Sequence, residues 1–228
     1  MRMIPFSKLP AKMQTDEVKP YYDILKNKSK SLLFKRILDL FSAMILLVLL
    51  FVPMIILGLI IKFSSKGPVI YKQVRVTTYC KEFRIWKFRT MKVGADAQGE
   101  LTCSDDQRVT KVGKFLRKYR LDELPQIFHV ISGKMSIVGT RPEVPRYVSE
   151  YTPEMLATLL MPAGVTSLAS IKFKDEAEML ENCEDADKVY IDDILPEKMK
   201  YNLEYLQKFS FRRDVKLIFK TVKEVVSS

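Results

Sequence analysis

From Leu40 to Ile61 the chain runs for 22 residues without a charge. No other feature limits its folding so strongly. A stretch this long and apolar must be hidden in protein or in lipid. As a helix it would be about 33 Å long, enough to cross the hydrocarbon layer of a bilayer. It does not read as a cleavable leader, because it starts late, is too long for an h-region and precedes no small-residue cleavage site.

Two features complicate a simple span. Pro53 lies within the run. It has no N–H to offer the carbonyl of Leu49, and its ring opens that turn. Both flanks are also basic. Nine Lys and Arg precede the run against four acids, and nine follow it by Lys92 against Glu82 alone. The positive-inside rule orients a span by asymmetry of Lys and Arg, and here there is almost none. The residues leave a crossing helix and a re-entrant helix broken at Pro53 both open.

About 165 residues follow the run, enough for a core of their own. The net charge of +11 points to an anionic partner such as lipid headgroups, nucleic acid or a phosphorylated substrate. Three scattered cysteines (Cys80, Cys103, Cys183) offer no disulfide framework, and with one histidine a tetrahedral zinc site is excluded in practice. A metal here would be a hard, oxygen-ligated ion such as magnesium.

Residues 1–30, with Pro5, Pro10 and Pro20, read as a basic, poorly ordered lead-in. Residues 31–66 read as a membrane segment and 67–228 as a separate domain. "GPVIYKQVRVT" (67–77) and "FRIWKFRTM" (83–91) read as strands. The polar stretch 94–108 reads as a loop of functional length. "VTKVGKFLRKY" (109–119) gathers Val112, Phe115, Leu116 and Tyr119 on one helical face among basic residues, which suits an anionic membrane surface. Short helices are expected at 122–132 and at 152–160, the latter capped by Thr152. Two more follow at 196–209 and 211–226. The expected fold is α+β and mostly helical, with interfacial amphipathic helices and a small sheet.

"YRLDELPQ" (119–126) holds the adjacent carboxylates Asp122 and Glu123. Acids favour a helix N-terminus, so the pair alone says little. Its surroundings say more. Arg117 and Arg120 flank it, and Lys87 and Arg89 lie on a nearby strand. A carboxylate among fixed cations can act as a nucleophile or hold magnesium, and the cations can neutralise a phosphate. Arg141, set between a turn and Pro142 in "GTRPEVP", suits a phosphate fork. His129, amid apolar neighbours, reads as packed and not as a base. No Gly-rich phosphate loop is present.

In order, "FKRILDLFSAMILL", "GPVIYKQVRV", "FRIWKFRTM", "DDQRVTKVGKFLRKYRLDELPQIFHVISGKMSIVGTRP" and "PAGVT" resemble the bacterial sugar transferase family, the monotopic polyprenyl-phosphate phosphoglycosyl transferases. The resemblance covers about residues 31–228. It implies transfer of a sugar-1-phosphate from a UDP-sugar to undecaprenyl phosphate, initiating exopolysaccharide, capsule or another lipid-linked glycan. It implies that Asp122 forms a covalent phosphosugar intermediate, that Glu123 completes the acidic pair, and that both help to place Mg2+. Lys87, Arg89, Arg117 and Arg141 would bind substrate phosphates. It also implies a re-entrant helix with its break at Pro53, anionic lipids but no nucleic acid as partners, and a bacterial inner membrane location with the catalytic domain in the cytoplasm. Self-association is left open. The chain departs from the family pattern at Val52, Thr140 and His129, where Ser, Pro and Asn are common. The alternative is a catalytically silent, membrane-anchored binding or scaffold protein in polysaccharide assembly.

Overall fold

The computed structural model describes residues 3–95, 106–180, 183 and 185–226. Most of the loop read over 94–108, with Cys103, lies outside them.

The apolar run forms the centre of a single helix of 36 residues, α2 (Ser29–Ser64). A break between two legs was expected at Pro53. The helix is instead uninterrupted there, because a proline removes one N–H and helical backbone can continue on both sides of it. Leu32, Lys35, Asp39, Ala43, Met54 and Ile61 are buried, and Leu47, Leu50 and Leu57 are half-buried. These positions recur every three or four residues, so one stripe of α2 faces the rest of the chain. The other faces are open, with Val48 75% and Phe63 85% exposed. By length and composition α2 can enter a membrane.

The two ends of α2 are tied to the same body. Near its start, Lys35 Nζ donates to the Val138 carbonyl at 2.7 Å and to Asp214 Oδ2 at 2.8 Å, with both charged groups buried. Arg36 donates to the carbonyls of Val130 and Ile131. Asp39 accepts from Ser136 Oγ at 2.8 Å and from the Ile137 N–H at 3.0 Å. At its end, Arg89 donates to the carbonyls of Ser65 (2.7 Å) and Lys66 (2.9 Å).

Two small sheets frame the body. β1 (Ile70–Thr77) and β2 (Lys81–Phe88) form an antiparallel hairpin with Tyr71 opposite Lys87. β3 (Met135–Val138) and β4 (Ala163–Thr166) pair in parallel, a sheet that the sequence reading lacked. Between the sheets come α3 (Lys111–Lys118), a 3-10 helix (Leu121–Gln126) and α4 (Ile127–Ile131). The single helix expected at 122–132 is thus split. Pro125 has no N–H to return to the Leu121 carbonyl, the first i→i−4 bond of an α-helix begun at Asp122, and the tighter 3-10 winding takes its place. The segment expected as a helix at 152–160 is also 3-10, over Met155–Leu160. Short helices α5 (Pro145–Ser149), α6 (Leu168–Lys172), α7 (Glu176–Met179) and α8 (Ala186–Val189) lead to α9 (Leu195–Gln207) and α10 (Phe211–Val226).

The reading of 1–30 as a poorly ordered lead-in needs correction. Pro5 and Pro10 open 3-10 turns, and Pro20 stands in the first turn of α1 (Lys19–Asn27), where a missing N–H costs nothing. Leu9, Met13, Val18, Tyr21, Tyr22 and Leu25 are buried in the main core with Leu160, Tyr190 and Phe209. A second cluster joins Ala43 to Phe83, Ile85 and Val130, and a third joins Met54 and Ile61 to Phe88 and Leu116.

Candidate active site

The 3-10 helix decides how the two carboxylates point. Its three-residue turn puts Glu123 and Gln126 on one face, Asp122 and Pro125 on the next, and Leu121 and Leu124 on the third. Leu121 and Leu124 pack on the cluster that holds α2. The chain enters through Arg120 in the left-handed region at φ 53°, a conformation that costs a non-glycine residue about 1 kcal/mol or more. That turn redirects the backbone between α3 and the acidic pair.

Asp122 and Glu123 are each 9% exposed, yet their partners differ. Glu123 is gripped by Arg141, with Nη2 to Oε1 at 2.6 Å and Nη1 to Oε2 at 3.2 Å, the two-pronged fork that guanidinium geometry favours. Lys87 Nζ adds a contact at 3.3 Å. Lys87 reaches it because strand alternation puts it in phase with the buried Phe83 and Ile85. Asp122 makes no hydrogen bond or ion pair among the described residues. Arg117 is held in place by donating Nε to Thr90 Oγ1 at 2.9 Å.

These surroundings set opposite proton affinities. Burial would raise the Glu123 carboxyl, but Arg141 and Lys87 override it and hold the group well below the usual range. Burial raises Asp122, Lys87 and Arg117 oppose it, Glu123 adds to it, and the net shift is upward. Burial also lowers the Lys87 ammonium and the Arg117 guanidinium, while Glu123 raises Arg141. One carboxylate is thus a fixed anion that neutralises its cations. The other is desolvated and uncommitted, as suits a nucleophile.

The geometry brings together Asp122, Glu123, Lys87, Arg117 and Arg141. It does not bring Arg89 to them. Arg89 is buried and its guanidinium is spent on Lys66, on the Ser65 carbonyl and on Ser65 Oγ (2.9 Å) at the end of α2. Strand phase aligned Arg89 with Lys87 in the sequence, but Arg89 lies past the end of β2 at Phe88, within reach of the carbonyls that follow α2. His129 is packed, as read. Its Nε2 accepts the Trp86 N–H at 3.0 Å, and burial, then Lys134, pull its pKa down to about 4. Thr90, which orients Arg117, was missed, and a lone threonine gives no sequence signal.

Among the described residues no three His, Cys, Asp or Glu side chains converge as a metal cage. An uncommitted carboxylate beside a second one fits magnesium of the kind that takes one or two carboxylates and completes its shell with substrate phosphate and water.

A buried carboxylate pair ringed by cations thus lies on a body tied to both ends of a helix long and apolar enough to enter a membrane. The chain belongs to the bacterial sugar transferase family, whose model matches residues 30–228. It is 36% identical over 197 residues to a UDP-glucose:undecaprenyl-phosphate glucose-1-phosphate transferase of Klebsiella pneumoniae, covering 84% of this chain and 40% of that protein. It is 35% identical over 198 residues to a UDP-N-acetylgalactosamine-undecaprenyl-phosphate N-acetylgalactosaminephosphotransferase of Aeromonas hydrophila, covering 85% and 44%. It is 30% identical over 197 residues to the uncharacterized sugar transferase EpsL of Bacillus subtilis, covering 86% and 89%. The chain thus spans about two fifths of the length of the first two relatives and most of the third.

Proposed function

We propose that this protein is a phosphoglycosyl transferase that moves a sugar-1-phosphate from a UDP-sugar to undecaprenyl phosphate. The observation that carries the reading is the asymmetry of the acidic pair: Glu123 locked by Arg141 and Lys87, Asp122 buried beside them without a partner among the described residues.

In this reading an Asp122 carboxylate oxygen attacks the phosphorus that bears the sugar. The P–O bond to the uridine-side phosphate breaks, and UMP leaves with that electron pair. The sugar-phosphate is then an acyl phosphate on Asp122. A phosphate oxygen of the acceptor attacks the same phosphorus, the bond to Asp122 breaks, and the carboxylate is restored. Arg117, Lys87 and Arg141 supply fixed positive charge where the phosphates gather, so no solvent has to reorganise as charge moves. Asp122 and Glu123 would hold Mg2+, which when bound supplies charge neutralisation between carboxylate and phosphate.

The reading includes a location. Both ends of α2 are bonded to one folded body, so a helix that leaves the two ends on one side of the bilayer is favoured over one that separates them. The basic flanks make that side the cytoplasm of a bacterial inner membrane. Anionic lipids suit the basic surface.

The test uses purified protein in nanodiscs with undecaprenyl phosphate, magnesium and a panel of UDP-sugars, reading UMP release. The expected outcome is UMP from one donor, abolished by Asp122→Asn. An Asp122→Asn protein with full turnover would overturn the reading.

A further inference from the structure

Between α2, the 3-10 helix and the β4–α6–α10 layer lies a cavity of about 480 Å3. Leu46 and Leu50 of α2, Leu121, Leu124, Val165 and Val222 are among the apolar residues of its wall. Glu123, Arg141 and Gln126, from the acidic site and its helix, also line it. Lys118 and Arg120 add positive charge to its boundary, where Lys174 is paired with Glu224.

We infer that this cavity seats the first isoprene units of the acceptor lipid, with the acceptor's phosphate at Arg141. The inference rests on the transfer reading and names where its second substrate lies. Four observations favour this occupant. Part of the wall belongs to the apolar helix itself, so a ligand dissolved in the bilayer reaches the cavity without crossing water. The surface of the wall is mostly apolar, which suits a hydrocarbon tail better than a nucleoside or sugar, whose polar groups are costly to bury without partners. Glu123 and Arg141 belong both to the acidic site and to the cavity lining, so a phosphate held by Arg141 there lies at the edge of the site that contains Asp122. Finally, Gln126 Nε2 is one of two buried side-chain polar atoms without a hydrogen-bond partner among the described residues. It shares the Glu123 face of the 3-10 helix, and a small rotation of its amide would offer that donor to a phosphate oxygen.

An amphiphile with an anionic head and a branched hydrocarbon tail matches this lining. It also implies an exchange. Arg141 is held by Glu123 in the absence of ligand, so the incoming phosphate must share that guanidinium.

The test uses the full chain in phosphatidylcholine nanodiscs with farnesyl phosphate carrying a terminal diazirine, irradiated and mapped by mass spectrometry. The expected label falls on Ala43, Leu46 or Leu50 of α2, or on residues 121–127, 165–171 or 221–222, and undecaprenyl phosphate competes it away. Label confined to the open faces of α2 at Val48, Val52 and Phe63, or label that does not compete, overturns the inference. Val222 is 56% exposed, so Val222→Trp can be accommodated while it fills the cavity. It should lower the labelling and raise the KM for acceptor by roughly tenfold, with the KM for donor unmoved. An unchanged acceptor KM also overturns it. Exchange of labelled UMP into UDP-sugar needs no acceptor and is measured on the same sample. Its absence from the wild-type protein, with competed label in the cavity, would sink the transfer reading and leave the lipid site standing.

Discussion

Asp122 and Glu123 are neighbours in sequence, equally buried, and opposite in what they cost the fold. Glu123 has a depressed folded pKa. Its contribution to stability is present above its unfolded pKa and is lost as pH falls through the folded one. Glu123→Gln leaves Arg141 and Lys87 without their anion, and the melting temperature at pH 7 should fall by several degrees. Asp122 has a raised folded pKa. The folded state then binds the proton more tightly than the unfolded one, so stability declines as pH rises from the unfolded pKa through the folded one, and the penalty remains at neutral pH. Asp122→Asn should therefore melt at or above the wild-type temperature while losing turnover. A melting curve of each variant at pH 7 distinguishes the two signs; a large drop for Asp122→Asn would contradict this account. The same raised pKa sets the acid limb of turnover above the ordinary carboxylate range, because the nucleophile must be ionised. A pH profile of UMP release reads that limb. At this scale the sequence was informative where chemistry is local. The acidic pair, its flanking arginines and the phase of Lys87 were legible. Arg89 was not, because its fate depends on where β2 stops, and Gln126 was not, because an unpaired donor is visible only once its neighbours are placed.

At the scale of elements, α2 depends on side chains that its own sequence does not announce. Arg89 joins its last turn to the strand that carries Lys87. Arg89→Ala removes a buried fork and leaves several carbonyls without that donor, and should cost about 2–4 kcal/mol, measured by denaturant unfolding in detergent. The closeness of α3 to the chain after β2 rests on Gly113, where a Cβ would lie 2.0 Å from the Thr90 carbonyl oxygen. Gly113→Ala forces α3 outward, at about 1–3 kcal/mol. Because Thr90 orients Arg117, turnover should fall more than stability does, and a variant that melted lower with turnover intact would break that link. The strands of the hairpin and helices α3, α9 and α10 were legible because each carries enough periods of its pattern. The parallel pair β3–β4 was not, since Met135–Val138 is too short to show alternation. The N-terminal segment misled for a different reason. Its prolines and lysines suggest disorder, while Leu9, Met13, Val18 and Leu25 are spaced by turns and not by one repeating period.

For the whole molecule, the decisive question is which side of a bilayer each end of α2 occupies. A straight helix of its apolar length can span, and sequence alone leaves that open. The bonding pattern weighs against it. Lys35, Arg36 and Asp39 hold the start of α2 to the β3 region and to Asp214, while Arg89 holds its end to the hairpin, and the hairpin packs on the same body through Phe83 and Ile85. Putting the two ends on opposite faces would break one set and leave buried charges unpaired, at several kcal/mol each. The stripe of α2 that meets the body also continues past Pro53 through Met54 and Ile61, so no spanning length of the helix is clear of protein on all sides. In a cysteine-free background, single cysteines at Ser31 and at the exposed Lys72 should both react with a membrane-impermeant maleimide only after the cytoplasmic side is opened. Reaction of either one in intact cells would place that end outside. It would mean that α2 crosses the bilayer and that the bonds at one of its ends are lost in the membrane.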